Sequence, residues 1–561
     1  MKLKMPIGTD DFAKVRESYY FVDKTKIIRQ LIDDHNEVTL FTRPRRFGKT
    51  LTMSMIDYFF SIHKKEVSLS LFRGLSIENA GFTYMQHRGT YPVIFLTLKE
   101  CAEDSWENMY EQFMVTIQIE FQKHRYLLDS PLIHAEEKLQ IQQFLTCTAT
   151  PIEYKRSLWY LSSYLQRYFN RKPIILIDEY DAPLQYAYSH VFYEKASNFF
   201  KRFFSAALKG NEYLEFAVLT GVLRIAKESI FSGLNNLAVY STLSAEYSDA
   251  FGYTPNEVIQ ITKDFGYENK LNEIKAWYDG YTFGNQEIYN PWSVNYYIDS
   301  NCNTAPYWIN TADNSILQDL LRHVTTLQLQ SLQGLLLDKP IATSLNEGVI
   351  YHTIGQDKSA LYTLLLNTGY LTASATQTTT DERYLLRIPN EEIKRVYRTE
   401  ILNSLVMGIT RDTFDNLFDA LLSGQESIFE TLLEQILLRF VSVFDAANKE
   451  SFYHGFMLGI TALFLNREYE VVSNAESGYG RFDVAIFPKQ MTRAGVILEF
   501  KVASSLDQLP KQSQKALLQI EEKKYVEEFQ KRNVRLVWKY GIAFYGKYVK
   551  VATSKSSDMN A

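Results

Sequence analysis

The hydrophobic pattern of the N-terminal part of the chain alternates short apolar runs with longer amphipathic stretches. Four runs are almost free of polar residues, as expected for parallel strands that helices cover on both faces: 38–41, 93–96, 174–177 and 216–219. Helical periodicity fills the intervals, for example over 105–121 and 154–169. This alternation predicts βαβ units and a mostly parallel sheet, in a first domain at 1–255.

The rest of the chain changes pattern twice. From about residue 256 it is mainly helical, with long periods such as 391–407 and 412–444. Within this region, 361–388 reads as a helix followed by a hairpin with a polar turn, which favours a winged-helix-like insert. The order helix, strand, hairpin, helix, strand over 452–551 is typical of a compact α/β domain. We therefore predict a helical middle region at 256–444 and a C-terminal domain at 445–561.

Composition and charge narrow the class of protein. A length of 561 residues allows three or four domains at ~150 residues each. The balance of 60 Lys+Arg against 65 Asp+Glu is too mild to steer a polyanion, so a nucleic-acid partner must meet a local basic patch. The 3 cysteines are far apart in sequence, which argues against disulfides or a cysteine zinc site and favours a reducing compartment. Because no stretch approaches ~18 uninterrupted apolar residues, we expect no membrane association and a cytoplasmic location.

One apolar strand leads directly into a candidate phosphate-binding loop. VTLFT at 38–42 is followed by RPRRFGKT and then by a helical run, which is the strand–loop–helix setting of a P-loop. Gly48 lets the backbone approach phosphates, Lys49 can reach the β- and γ-oxygens, and Thr50 offers a hydroxyl to Mg²⁺. Arg43 stands where the usual pattern has its first glycine. A basic turn that happens to contain GKT is the structural alternative.

The residues between Arg43 and Gly48 are further candidates for nucleotide binding. By position, Arg45, Arg46 and Phe47 belong to the loop. Three interpretations of the two arginines stay open: they contact phosphates, they contact a nucleic-acid backbone, or they are exposed to solvent.

Two later strand ends supply the polar residues that an ATP site needs. The run 174–177 ends in Asp178 and Glu179, so that Asp178 can reach the metal shell and Glu179 can orient the attacking water. The next strand ends at Thr220, a candidate sensor of the γ-phosphate, and Arg224 follows as a candidate to neutralise charge during transfer. The structural alternatives are a helix cap or solvated turn for the acidic pair, and an ion pair for Arg224.

A predicted hairpin near the C terminus groups two carboxylates and a lysine. Its strands are 480–487 and 496–502. Because side chains alternate with a period of two, Glu499 and Lys501 share one face, and Asp483 can face them across the hairpin. Asp483 and Glu499 can bind Mg²⁺ while Lys501 activates water and stabilises developing charge, as phosphodiester hydrolysis requires. A solvent-facing hairpin with the same alternation is the alternative.

Neighbouring helical runs and local charge favour the first of these interpretations. Glu450 and His454 are four residues apart on a helical run, so either could complete the site. Gln519 lies on a later helical run that could carry its amide toward the same strands. Residues 501–561 hold 12 Lys+Arg against 6 Asp+Glu, which gives a modest phosphate-attracting surface.

Taken together, these motifs make the chain resemble the AAA-ATPase-like family of bacterial proteins that carry a C-terminal PD-(D/E)xK nuclease-superfamily domain. The resemblance extends over nearly the full length, with several motifs in the same order. They are PIGTDDFAKVRE, YYFVDKT, RPRRFGKTL, IILIDEYDAP, LTGVLRIAKESIFSGLNNL, WYDGYTFG, YNPWS, RFDVAIF, ILEFKV and ALLQI. Phe482 stands where the nuclease motif's name has proline, a residue that supplies no ligand.

The resemblance implies an α/β fold class with three parts: a P-loop NTPase (AAA/ASCE-like) parallel sheet domain, a mainly helical middle region and a restriction-endonuclease-like α/β domain. It implies nucleotide binding through Gly48, Lys49 and Thr50, with Asp178 and Glu179 as the metal and water residues. ATP and Mg²⁺ are therefore the expected cofactors.

In the C-terminal domain the matching nuclease positions are Asp483, Glu499 and Lys501, with Gln519 as an accessory. We expect ATP to control a Mg²⁺-dependent nuclease that acts on nucleic acid, with DNA as the expected substrate, in defence or in the handling of mobile DNA. The main alternative is a nucleotide-switched module that binds nucleic acid or protein through an inactive nuclease-like domain. A DNA-translocating motor, the third alternative, would be a homo-oligomer with Arg224 acting across subunits.

Overall fold

A computed structural model describes most of the chain, which forms two compact units. One unit is Met1–Asp313 with Ile341–Ile393, and the other is Asn314–Pro340 with Lys394–Ala561. The predicted boundaries at 255 and 444 stay a prediction. The residues that the structure describes are 4–190, 192–223, 235–308, 331–332, 334–336, 338–345, 358–375, 383–397, 411–440, 453–454, 456–457, 460–461, 468–473, 476–477, 480–490 and 492–557.

The first unit contains a five-stranded parallel sheet. Its strands are β1 Val38–Thr42, β2 Val93–Thr97, β3 Ile174–Asp178, β4 Ala217–Gly221 and β5 Leu237–Tyr240. They lie in the order β2-β3-β4-β1-β5, and every neighbouring pair is parallel. The carboxyl ends of β1, β4 and β3 therefore meet at one edge of the sheet. The predicted P-loop NTPase (AAA/ASCE-like) parallel sheet is confirmed, and β5 is an additional strand.

Helices bury this sheet and bring the loops to its edge. Strands β1, β3 and β4 are buried at every position, which explains their continuous apolar runs. The Ser105 and Thr150 hydroxyls accept backbone N–H bonds at the starts of two long helices. The helices of this unit are Phe12–Ser18, Lys26–Asp34, Lys49–Phe60, Lys65–Leu71, Ser76–Asn79, Phe82–Met85, Trp106–Lys123, Ala135–Leu145, Pro151–Phe169, Ala182–Ser189, Tyr193–Leu208, Pro255–Phe265, Leu271–Tyr278, Pro291–Asp299 and Lys358–Thr368. Its residues 391–393 begin a helix described as far as residue 397.

Two small sheets complete the first unit. The strands β6 Tyr281–Phe283 and β7 Gln286–Ile288 form a hairpin. The strands β8 Ile341–Thr343, β9 Thr372–Ala375 and β10 Tyr384–Arg387 form an antiparallel sheet in the order β8-β10-β9. The helix and hairpin predicted within 361–388 are present, although the polar turn at 376–382 lies outside the described residues. The winged-helix-like interpretation stays a prediction.

The second unit contains a mixed sheet. The strands of this unit are β11 Tyr469–Ser473, β12 Glu476–Ser477, β13 Gly480–Arg481, β14 Val484–Pro488, β15 Gly495–Val502, β16 Leu536–Tyr545 and β17 Tyr548–Ser557. The order of the mixed sheet is β11-β14-β15-β16-β17, in which β15 and β16 are parallel and the other pairs are antiparallel, and β12 pairs with β13 separately. This agrees with the predicted restriction-endonuclease-like α/β domain. The helices are Arg411–Ser423, Glu426–Phe440, Leu509–Glu522 and Glu527–Lys531.

One predicted helical stretch is divided in the structure. The described part of the period read over 412–444 is two helices, Arg411–Ser423 and Glu426–Phe440, and 441–444 lie outside the described residues. Gly424 between them has a φ of 75°, in the left-handed region that ends a helix. A Cβ at this position would also lie 2.3 Å from the Trp538 indole, so the break is fixed by packing as well as by backbone conformation.

Candidate nucleotide and nuclease sites

The predicted phosphate-binding loop lies between β1 and the helix Lys49–Phe60. Gly48, in a left-handed conformation with φ 84°, directly precedes the helix. The buried Lys49 ammonium donates to the carbonyls of Arg43 at 3.0 Å and Pro44 at 2.9 Å, so the lysine folds back over the loop. Burial lowers the pKa of Lys49, and the nearby Glu179 and Asp178 carboxylates oppose this change. The Lys49 ammonium thus lies at the helix N terminus, where backbone N–H groups favour an anion.

Asp178, the last residue of β3, joins three elements of the candidate site. Its Oδ2 accepts from the Thr50 hydroxyl at 2.7 Å, and its Oδ1 accepts from the Thr220 hydroxyl at the end of β4. The carboxylate is buried. Hydroxyl and carboxylate oxygens are the donors that Mg²⁺ prefers, so Thr50 and Asp178 fit the predicted metal. The structure brings these residues together, and their roles stay a prediction.

Glu179 follows Asp178 and faces the same region. Its φ is 52°, an uncommon conformation for a residue with a side chain. Burial raises the pKa of the Glu179 carboxyl, and the Lys49 ammonium lowers it. A carboxylate near a cationic loop, with a raised pKa, suits the predicted orientation of water.

Asp181 is a residue to which the sequence assigned no role. Its buried carboxylate accepts from the backbone N–H groups of Val222 at 3.0 Å and Leu223 at 2.8 Å, directly after β4. It also accepts from the Gln185 amide at 2.8 Å, and Gln185 in turn accepts from the Arg45 guanidinium at 3.3 Å. Asp181 therefore connects the end of β4 to the phosphate-binding loop.

Arg43 explains how the loop forms without its first glycine. The side chain is fully buried, and its guanidinium donates to the carbonyls of Thr42 at 3.0 Å, Tyr240 at 2.8 Å and Tyr247 at 3.1 Å. It also lies over the rings of Phe251 and Phe283. Burial lowers the pKa of Arg43 to about 9. Arg43 thus anchors the loop to the core instead of pointing at phosphates, which its motif position had not indicated.

We expect Arg43→Ala to destabilise the protein by about 3 kcal/mol or more, because three buried carbonyls would lose their donor. Arg43→Lys should destabilise the protein less than Arg43→Ala, because an ammonium keeps the positive charge. Some loss of stability should remain, because the ammonium cannot reach all three acceptors. Urea unfolding measures both changes. Arg156→Ala, which removes an exposed arginine from a helix of the same unit, is the control and should change stability by less than about 0.5 kcal/mol. Equal stability of the Arg43→Ala and Arg156→Ala proteins would contradict this account of the loop.

Two tryptophans flank the loop. The Arg46 guanidinium lies 4.0 Å from the centre of the Trp292 ring. The Trp308 indole N–H donates to the Arg45 carbonyl at 3.3 Å. Trp292 belongs to the YNPWS motif, whose function the sequence had left unassigned. These contacts show that residues about 250 positions later in the chain hold the loop from outside the sheet.

A buried carboxylate, Glu392, supports Trp308. One of its oxygens accepts from the Trp308 backbone N–H at 2.7 Å, and the other accepts from the Ser293 hydroxyl at 2.8 Å. Burial raises the pKa of Glu392 to about 7 from its ordinary 4.5. The folded state therefore keeps a proton that the unfolded chain loses as the pH rises above 4.5.

This pKa predicts a pH dependence of stability. Because its pKa is raised on folding, Glu392 adds to the free energy of unfolding by about 3 kcal/mol in total. This stabilisation is fully present below pH 4.5 and is lost as the pH rises through about 7. Glu392→Gln cannot ionise, yet its amide oxygen can accept from the Trp308 N–H and its amide nitrogen can donate to the Ser293 hydroxyl oxygen. We expect unfolding midpoints across pH 4.5–7.5 to fall more steeply for the wild type than for this variant. Parallel curves for the two proteins would show that Glu392 titrates normally.

The predicted nuclease residues meet on the mixed sheet. Asp483 precedes β14, and its Oδ2 accepts from the Phe500 backbone N–H at 2.8 Å, next to Glu499 on β15. Lys501 Nζ lies 3.7 Å from Glu499 Oε1, which also accepts from the Gln519 side-chain amide. Two carboxylates supply oxygen donors that fit Mg²⁺, with a lysine beside them. The catalytic roles of these residues stay a prediction.

Gly541 lets Gln519 reach this site. In β16 it pairs with Glu499, and a Cβ there would lie 2.2 Å from the Ser513 carbonyl and 2.3 Å from the Leu517 nitrogen. The helix Leu509–Glu522 can therefore cross β16 closely enough to carry Gln519 to Glu499. The sequence shows this glycine but not which helix approaches it.

Other predicted residues have different outcomes. His454 Nε2 lies 3.0 Å from the Asp483 backbone carbonyl, so it contacts this segment through the main chain. Arg224 and Glu450 lie outside the described residues.

Tyr525, which the sequence had not singled out, is buried near the candidate nuclease residues. Burial raises the pKa of Tyr525, and the nearby Glu499 and Asp483 carboxylates raise it further. Among the described residues, no group of three or more His, Cys, Asp or Glu could hold a metal.

The fold is that of a P-loop NTPase-type sheet domain and a nuclease-like α/β domain in one chain. Residues 6–231 match the family model described as predicted AAA-ATPase, and residues 448–554 match that of the PD-(D/E)XK nuclease superfamily. The chain thus carries a domain of each family, as the motifs predicted. It is also 25% identical over 537 residues to "Uncharacterized protein in vnfD 5'region" of Azotobacter chroococcum mcd 1, with 94% of each chain covered.

In the part of the chain that the structure describes, every helix is too short or too polar to cross a membrane.

Proposed function

We propose that the N-terminal domain binds and hydrolyses ATP, and that its nucleotide state controls a metal-dependent phosphodiesterase site in the C-terminal domain that cleaves DNA. The observation that carries the proposal is the contact of Asp178 with both Thr50 and Thr220, beside the Lys49 ammonium. This brings a phosphate-binding loop, a candidate metal ligand and a candidate phosphate sensor to one sheet edge.

In the nucleotide site, each residue has a distinct proposed task. The Lys49 ammonium gives up its hydrogen bonds to the loop carbonyls and donates to phosphate oxygens instead. The Glu179 carboxylate orients water for attack on the terminal phosphorus. Mg²⁺, held by Thr50 and Asp178 when bound, neutralises phosphate charge. The hydroxyl of Thr220 fixes the rotamer of Asp178 and stands next to the terminal phosphate.

In the candidate nuclease site, the close contacts among the predicted residues support a separate task for each of them. Mg²⁺, held by Asp483 and Glu499 when bound, supplies Lewis acidity at the scissile phosphate. Lys501 aligns water and stabilises the negative charge that develops on phosphate oxygens. Gln519 donates to Glu499 and so keeps this carboxylate oriented.

The test is a paired assay of the purified full-length chain. ATP hydrolysis is measured with Mg²⁺ and with EDTA. Cleavage of single- and double-stranded DNA and RNA is measured with Mg²⁺ or Mn²⁺, each with ATP, with ADP and without nucleotide. We expect metal-dependent ATP hydrolysis and metal-dependent DNA cleavage that changes with the nucleotide.

Each half of the proposal can fail separately. Hydrolysis of ATP with every nucleic acid left intact would contradict the nuclease activity and favour the nucleotide-switched binding module. Cleavage that is the same with ATP, with ADP and without nucleotide would contradict nucleotide control. A cytoplasmic location, homo-oligomer formation and a role in defence or mobile-DNA handling belong to the same proposal.

A further inference from the structure

The three arginines of the phosphate-binding loop lie in three different environments. Arg43 is buried and donates to backbone carbonyls of the core. Arg45 donates to Gln185 at 3.3 Å. The Arg46 guanidinium stacks 4.0 Å above the half-buried indole of Trp292. A stacked guanidinium interacts with the ring quadrupole, and the same planar group can donate two parallel hydrogen bonds to a phosphate.

Arg46 and Glu179 share an unusual backbone conformation and interact electrostatically. Arg46 has a φ of 71° and Glu179 a φ of 52°, and such conformations in residues with side chains concentrate at functional sites. Burial lowers the pKa of Arg46, while the Tyr296 and Glu179 side chains oppose this change. The guanidinium therefore lies within electrostatic reach of the carboxylate that we propose to orient water.

We infer that Arg46 leaves Trp292 and contacts the terminal phosphate of ATP during its transfer to water, within the same chain that binds the nucleotide. The inference rests on the proposed ATPase function. In this step the bond from the γ-phosphorus to the bridging oxygen breaks and a bond to the water oxygen forms. The products are ADP, inorganic phosphate and a proton. A planar guanidinium can donate two parallel hydrogen bonds to the phosphate oxygens as charge builds up on them.

This assigns to Arg46 the charge-neutralising task that the sequence had given to Arg224. In the absence of nucleotide, Arg46 is then stacked on Trp292. Because the two residues separate on binding, the indole fluorescence of Trp292 should report the movement, which gives a readout that does not depend on turnover.

The first experiment measures binding of Mg-ADP to the full-length chain, with and without aluminium fluoride as a mimic of the transferring phosphoryl group. We expect Arg46→Ala to weaken binding of the aluminium fluoride complex by about 10²-fold and binding of Mg-ADP by about threefold or less. Arg46→Lys should be intermediate, because an ammonium cannot donate two parallel hydrogen bonds. Arg29→Ala, an exposed arginine of the same unit, is the matched control.

The fluorescence measurement identifies the movement. Adding Mg-ADP with aluminium fluoride should change the tryptophan emission of the wild type. The change should be lost in Trp292→Phe, which keeps an aromatic face for Arg46, and in Arg46→Ala. A change that persists in both variants would overturn the role of Trp292.

A mixing experiment tests whether Arg46 acts within one chain. Arg46→Ala binds ATP but lacks the arginine, whereas Lys49→Ala offers the arginine but lacks the phosphate-binding lysine. Their mixture should hydrolyse no more ATP than the sum of its parts. Recovery of hydrolysis would show that the arginine acts between subunits and would overturn the inference.

The remaining outcomes separate this inference from the proposed function. Wild-type affinity of Arg46→Ala for both ligands, or an equal loss for both, would overturn the inference and leave the ATPase proposal standing. If the wild type neither hydrolyses ATP nor binds either ligand, the ATPase proposal fails and the inference with it. Circular dichroism monitors folding, and if Arg46→Ala does not fold, the affinities of Arg46→Lys decide the result.

Discussion

Replacing Lys49 with alanine is expected to abolish ATP hydrolysis and leave the fold intact. The ammonium is buried at the start of the helix Lys49–Phe60 and donates to the main-chain carbonyls of Arg43 and Pro44. In the proposed complex it moves to the phosphate oxygens, where charge builds up during transfer. Losing it should lower the rate by about 10³-fold or more. Release of inorganic phosphate from Mg-ATP measures the effect.

A matched control separates catalysis from a general effect of removing a lysine. Lys14→Ala removes an exposed lysine of the same unit and should hydrolyse ATP at the wild-type rate. Circular dichroism and thermal unfolding of both variants check that each protein is folded. A folded Lys49→Ala protein that retains more than about a tenth of the wild-type rate would show that this loop does not hold the transferred phosphate.

The parallel sheet was predictable because helices cover both its faces. Strands buried on both sides must be apolar throughout, so β1, β3 and β4 appear in the sequence as uninterrupted runs. Strand β5 is half-buried at each of its residues and pairs only with β1 among the described strands, so its LAVY segment carries a weaker signal. The formation of an edge strand of this kind depends more on its pairing with the neighbouring strand than on its amino-acid composition.

The meeting of the motif residues at the candidate nucleotide site was predictable because they lie at the carboxyl ends of neighbouring parallel strands. The residues that hold the loop were not. Arg43 contacts carbonyls of Tyr240 and Tyr247, which are 197 and 204 residues further along the chain. The stacking partner of Arg46, Trp292, comes from a distant helix in the same way. Periodicity reports which face of an element is buried, but it does not report which distant segment covers that face.

Replacing Lys501 with alanine is expected to abolish nucleic-acid cleavage and leave ATP hydrolysis unchanged. Lys501 Nζ lies 3.7 Å from Glu499 Oε1, on the strand that also brings the Phe500 N–H to Asp483. An ammonium beside two candidate metal ligands can align water and stabilise charge on the scissile phosphate. Removing it should lower the cleavage rate by roughly 10²–10⁴-fold. The measurement is cleavage of labelled DNA with Mg²⁺ under single-turnover conditions.

Two further variants distinguish chemistry from attraction of the nucleic acid. Lys511→Ala removes an exposed lysine from the nearby helix and should weaken only the salt-dependent binding of DNA. Gln519→Ala removes the amide that donates to Glu499, so it should slow cleavage less than Lys501→Ala, with a rate that recovers partly at higher Mg²⁺ concentration. If Lys501→Ala changes DNA affinity as Lys511→Ala does and cleaves bound DNA at the wild-type rate, then Lys501 belongs to a binding surface and the catalytic group must lie elsewhere.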